Sequence, residues 1–225
     1  MRSIKVLTVL FFSFHFFVSG QEKRIYLDTT LEKHWGDIYV LFEETQKLAG
    51  ELGLQDLTKS KDTFSIRLWQ PGAVLEISYD STGKLKSQYI NYIWKLNKKG
   101  KKVSLLFKRN IFSIDSCKQI EDKLRTTNFV DLLHSDRSKW AYKTNGLFYE
   151  IELANKSHYR FNTFCQVRPP DPVYKHGDEY KTLQDVLLFI ENKINYWKYF
   201  NDFYSTQEPG KYTEGAGMRT KFTKY

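Results

Sequence analysis

From Thr63 to Arg109 apolar and polar residues alternate with a period of two, broken by three tight turns. Gln70-Pro71-Gly72-Ala73 suits a type II turn, with Pro second and Gly third. Asp80-Ser81-Thr82-Gly83-Lys84 and Asn97-Lys98-Lys99-Gly100-Lys101 share a different signature, a type I turn closed by a left-handed glycine. These turns set a register. The first pairs Leu68 with Leu75, Ile66 with Ile77 and Phe64 with Tyr79. The second pairs Tyr79 with Leu85 and Leu75 with Tyr89, and the third pairs Ile93 with Leu105 and Lys95 with Val103. Nearly all of these residues fall on one face, so a four-stranded antiparallel meander is predicted.

The other face would carry Ile90, Tyr92, Trp94 and Leu106 beside Lys84, Lys86, Lys102 and Lys108. Either a helix covers that aromatic patch, as is usual for strands apolar on both faces, or the patch is exposed and available for binding.

Helical periodicity frames the meander. Leu31, Trp35, Ile38, Phe42, Thr45 and Leu48 predict a helix from Thr29 to about Ala49, with Thr29 and Glu32 as a capping box and Gly50 as its stop. A second helix runs from a cap at Ser113 or Asp115 to about Arg125, burying Cys117, Ile120 and Leu124. A third starts near Thr182, with Leu183, Val186, Leu187, Ile190, Ile194 and Trp197 as its stripe. Between the last two, Leu147 to Leu153 and Tyr159 to Cys165 alternate as a hairpin. If Leu153 faces Ser157, then Glu152 faces His158 and Glu150 faces Arg160 as a charged ladder. The expected architecture is α+β: an antiparallel sheet of about six strands, the meander plus the hairpin, with three packed helices.

Residues 1–20 have the pattern of a signal peptide: Arg2 and Lys5, an apolar run from Val6 to Val18, then Ser19-Gly20 before a cut at Gln21. An exported, periplasmic or extracellular protein is expected, with one domain over 21–204 and a loose tail over 205–225. In an oxidising compartment Cys117 and Cys165 would form one disulfide; the alternative is two buried free thiols.

Charge changes the picture. The chain carries a formal net charge of +9, and +7 remains once Arg2 and Lys5 are removed. No acid lies between Asp80 and Asp115, while Lys84, Lys86, Lys95, Lys98, Lys99, Lys101, Lys102, Lys108 and Arg109 are all basic. Cations interleaved with aromatics suit an anionic polymer or an acidic protein surface. The candidate binding set is therefore Lys86, Tyr92, Trp94, Lys98, Lys99, Lys101, Lys102, Lys108 and Arg109.

No P-loop, H-E-x-x-H, G-x-S-x-G or C-x-x-C motif is present, and nothing in the sequence implies a cofactor or a metal. His134-Ser135-Asp136 holds triad residue types, but as sequence neighbours they do not converge the way a triad must. The alternative to a binding module is a hydrolase using Glu150, Glu152 or His158, because alternate positions on one strand face stand about 7 Å apart. A third option is an interaction or inhibitor module whose sheet edge pairs with a partner strand.

At Asn145-Gly146-Leu147-Phe148-Tyr149-Glu150-Ile151-Glu152, followed by Tyr159-Arg160-Phe161, the chain resembles uncharacterised exported bacterial proteins. These carry an Asp/Asn-Gly turn, an aromatic-Glu-aliphatic-Glu strand and a Tyr-Arg strand. The resemblance spans the helix at Ser113 to the helix at Thr182. It implies a small exported α+β domain and brings no activity, cofactor or catalytic residue.

Overall fold

The computed structural model describes residues 23–29, 37–110, 112–134, 147–166, 178–214 and 221–224. The signal-peptide pattern, the Asn145-Gly146 turn, Ser135, Asp136 and the Pro-rich stretch after Arg168 lie outside them. The described strands are β1 (Arg24–Leu27), β2 (Phe64–Gln70), β3 (Ala73–Tyr79), β4 (Leu85–Leu96), β5 (Lys102–Asn110), β6 (Leu147–Asn155), β7 (His158–Gln166), β8 (Gly210–Thr213) and β9 (Lys221–Lys224). The described helices are α1 (Ile38–Glu51), α2 (Ile114–Thr126), α3 (Phe129–His134), α4 (Asp178–Ile194) and α5 (Tyr196–Ser205). All nine described strands join one sheet, antiparallel except where β1 runs parallel to β7. The α+β class stands, but the described sheet has nine strands rather than about six, and the described helices number five rather than three.

The meander forms as its turns require. Gly72, Gly83 and Gly100 all take positive φ, between 75° and 81°, a region that costs other residues about 1–2 kcal/mol. Leu68 faces Leu75 and Phe64 faces Tyr79, and Leu75 also faces Tyr89. The third hairpin differs by one residue: Ile93 faces Leu106 and Lys95 faces Ser104, because the register shifts between Lys95 and Leu96. A bulge of this kind inserts one residue and exchanges the faces of the positions beyond it. Leu106 and Lys108 consequently move to the side of Ile93, and Leu105, Phe107 and Arg109 take their place beside Tyr92.

β4 is twelve residues long and outruns β3, so the ladder edge at Trp94–Leu96 would be bare. The four-residue β8 fills it, and β9 pairs with β8. Residues 210–213 and 221–224, expected in a loose tail, are thus part of the sheet. Their composition carries weak strand propensity; an unpaired ladder edge supplies the reason to form.

Both faces of the sheet are covered. On one, Ile66, Leu75, Ile93 and Ile151 pack with Ile120 of α2 and with Leu187, Ile190 and Phe200 of the C-terminal helices. On the other, α1 lies over two smaller apolar clusters, one around Trp69, Ile90 and Tyr92 and one around Tyr159 and Phe161. A helix does cover the aromatic patch.

Helix ends follow side-chain chemistry. Ser113 caps α2, its Oγ accepting from the Ser116 N–H at 3.0 Å. α1 begins at Ile38 rather than Thr29, with Asp37 accepting from Tyr39 N–H at 2.8 Å. α4 begins at Asp178, a turn before the expected Thr182, whose hydroxyl instead donates to the Asp178 carbonyl. Asn195, at φ 50°, breaks the final helical stretch in two, and this turns Trp197 outward to solvent.

Candidate functional site

The β6–β7 hairpin decides what the two glutamates do. Asn155 Oδ1 accepts from the N–H groups of Ser157 and His158 at 2.9 and 2.8 Å, closing a tight loop. Leu153 therefore faces Arg160, Glu152 faces Phe161 and Glu150 faces Thr163. This is three residues from the expected register, an odd shift that sends Arg160 to the opposite face. There its guanidinium donates to the Leu133 carbonyl at 2.8 Å. The expected Glu150–Arg160 and Glu152–His158 ladder does not form.

Glu152 instead meets β2. Arg67, fully buried, stands between Glu152 on β6 and Glu76 on β3. Its Nε donates to Glu76 Oε2 at 2.7 Å and its Nη1 to Glu152 Oε1 at 3.2 Å. Its Nη2 reaches the Gln55 carbonyl at 2.8 Å as well as Glu76. Burial alone would lower the Arg67 pKa; the charges of Glu152 and Glu76 outweigh it and raise it. Glu152 also accepts from Trp69 Nε1 at 2.6 Å, Tyr159 Oη at 2.8 Å and Gln46 Nε2 at 3.0 Å. A carboxylate so fully engaged is structural.

Glu150 is different. It is only 3 % exposed, yet its Oε1 has no hydrogen-bond partner among the described residues. Its Oε2 lies 2.5 Å from the Thr45 hydroxyl, which also lies 2.8 Å from the Leu41 carbonyl. Thr45 has one proton, and a carbonyl can only accept. That proton is shared between the Leu41 carbonyl and Glu150 Oε2, both of which accept from the hydroxyl. Burial pushes the Glu150 carboxyl up to about 8, with the Glu152 and Glu44 charges pushing the same way and the Thr45 contact opposing them. Burial thus favours the protonated form of Glu150 near pH 7, and its Oε1 stands without a partner among the described residues.

Glu150 is among the residues that line a cleft of about 330 Å³ between α1 and the sheet. Glu44, Lys47 and Glu51 line it from α1, and Trp94 and Lys102 from the strands. The Lys102 ammonium stands 4.8 Å from the centre of the Trp94 ring.

The remaining sequence-derived candidates scatter. Tyr92 is fully buried under α1 and offers no stacking surface. Lys86 is paired with Asp80 at 3.2 Å. Arg109 donates to Gln88 and to the Leu52 carbonyl. Lys98, Lys99 and Lys101 are exposed at the β4–β5 turn and Lys108 is exposed on β5. His158 sits at the far end of the β6–β7 hairpin, more than about 13 Å from Glu150 by strand rise. It stacks there on Tyr26, beside a second, mainly apolar cleft. Glu150, Glu152 and His158 therefore do not converge.

Cys117 is a buried free thiol, so the expected Cys117–Cys165 disulfide is absent. α2 carries Cys117 on the side of the C-terminal helices. Position 165 pairs with Phe148 in the ladder, in phase with Glu150 and Glu152 on the α1 side. The odd register shift that moved Arg160 also separated the cysteines.

Arg67, Glu76 and Thr45 were missed by sequence reasoning. The first two had a signal: a turn pairing Leu68 with Leu75 also pairs Arg67 with Glu76. Thr45 had none, since only the docking of α1 brings it to Glu150. Among the described residues no helix is long and apolar enough to cross a membrane. No protein-family model and no curated protein matches the chain.

Proposed function

We propose that the protein is an exported, non-enzymatic binding module that holds an anionic polymer or an acidic protein surface along β5 and the β4–β5 turn. The observation that carries this is the placement of the cations. Lys98, Lys99, Lys101, Lys102, Lys108 and Arg109 all lie on the outermost strand of its side of the sheet or on the turn leading into it. No acidic residue shares that stretch. Among the described residues, Lys98, Lys99, Lys101 and Lys108 have no ion-pair partner. The contrast is with Lys86 and Lys95, which are held by Asp80 and Glu208.

A row of ammonium groups along one edge attracts phosphate-, sulfate- or carboxylate-bearing chains by releasing their counterions, so binding weakens steeply with salt. Exposed Val103 and Phe107 on the same strand add apolar contact. Export rests on the leader pattern of residues 1–20.

The test is retention of the mature protein on heparin or polyglutamate columns at low salt. Reversing Lys98, Lys99, Lys101 and Lys102 to Glu should abolish retention while leaving the unfolding midpoint within experimental error. Unchanged retention refutes the proposal.

A further inference from the structure

We propose that the cleft between α1 and the sheet is a second binding site, for a neutral, hydroxyl-rich chain such as a short oligosaccharide, with Glu150 as its hydrogen-bond acceptor. The starting observation is the Glu150 Oε1, buried and without a partner although the opposite oxygen is engaged by Thr45. An unmet buried acceptor is destabilising, and a ligand O–H or N–H would satisfy it. The rest of the β6 face is satisfied: Glu152, two residues along, has all its oxygens occupied.

The lining selects the ligand class. Glu44 and Glu51 are matched in number by Lys47 and Lys102. With the Glu150 carboxyl protonated, the cleft has no net charge and favours neither an anion nor a cation. It offers both donors and acceptors at its rim, an aromatic wall at Trp94 and the aliphatic edges of Leu41 and Leu48. Alternating hydroxyls and apolar C–H faces are what a pyranose chain presents.

The groups that act on Glu150 are Thr45 and Glu44 from α1, Glu152 from its own strand and Tyr92 from β4. None of them supplies a positive charge to ionise it. A ligand ammonium would do so by displacing the proton, and its affinity would climb with pH. A neutral ligand leaves the proton in place, and affinity stays level below about pH 8.

The experiment is calorimetric titration of the mature protein with chitohexaose, cellohexaose and maltohexaose, with hexylamine and inorganic phosphate as charged probes. At least one hexasaccharide should bind, with an affinity insensitive to salt. Glu150→Leu, which removes the acceptor without emptying the space, should weaken binding roughly five- to tenfold. Glu150→Gln keeps a carbonyl oxygen for the ligand and donates to Thr45, so it should bind like the parent. Trp94→Ala, at a half-exposed wall, gives an independent loss that does not depend on the buried position. Lys98→Glu with Lys99→Glu, outside the cleft, should leave saccharide affinity unchanged while weakening the polyanion binding proposed for β5. Failure of all three hexasaccharides to bind overturns the inference. So does tighter binding of hexylamine or phosphate, or saccharide binding indifferent to both Glu150→Leu and Trp94→Ala.

Discussion

Replacing Glu150 by Gln should make the protein more stable, and by an amount that grows with pH. In the native state the carboxyl titrates near 8; its ordinary value is 4.5. Below pH 4.5 both native and unfolded chains hold the proton, and the residue contributes no pH dependence. Between 4.5 and 8 the native state keeps a proton that the unfolded chain gives up. Stability therefore falls as pH rises through this window and levels off above 8. Each unit corresponds to about 1.36 kcal/mol, so the ceiling over the whole window is about 5 kcal/mol. Gln has the same shape and no proton to lose. The assay is urea unfolding of parent and Glu150→Gln at several pH values from 4.5 to 8.5, with stability extrapolated linearly. Taking the difference between the two chains cancels every other titrating group. The difference should be smallest at pH 4.5 and reach several kcal/mol in favour of Gln at pH 8. A difference that stays constant within about 0.5 kcal/mol across the range would refute the raised pKa of Glu150.

The described contacts carry three more expected outcomes. Arg67→Met strips the cation from between Glu76 and Glu152 and should destabilise by about 3–5 kcal/mol; urea unfolding checks it, and a loss below about 1 kcal/mol contradicts the triad. Dithiothreitol should leave the unfolding midpoint unchanged because Cys117 is free; a bridge to Cys165 would be worth about 4 kcal/mol and its reduction would shift the midpoint visibly. Gly72→Ala places a methyl against the Phe200 ring at a φ of +75° and should cost at least about 2 kcal/mol, read from thermal unfolding.

The parts of this fold legible from sequence were those fixed by local chemistry. Pro71-Gly72 and the Gly83 turn each need a particular backbone, so they set strand register as far as Tyr89 without tertiary information. Ser113 likewise marked its helix start. The features that escaped were decided by packing or by unpaired backbone. The bulge between Lys95 and Leu96 leaves no compositional trace, yet it exchanged the faces of Leu105 and Leu106. The Asn155 loop was misplaced because its Asx contacts and a longer loop suit the same residues, and that error carried Arg160 and the disulfide with it. Of the cleft, Trp94 and Lys102 were picked out for their charge and aromaticity and Glu150 for its spacing. They were assigned to two separate schemes, because only α1, lying across strands distant in sequence, brings them to one space.

The Arg67 triad has a consequence for how the central strands find one another. Alternating hydrophobicity rejects a slip of one residue, which would turn oily side chains outward, but it is blind to a slip of two. With β3 moved by two, Arg67 would oppose Val74 or Ser78, and the buried guanidinium would lose Glu76 and keep Glu152 alone. The sheet thus carries a second, ionic check on its alignment, one that excludes the mispairings the oily pattern would tolerate.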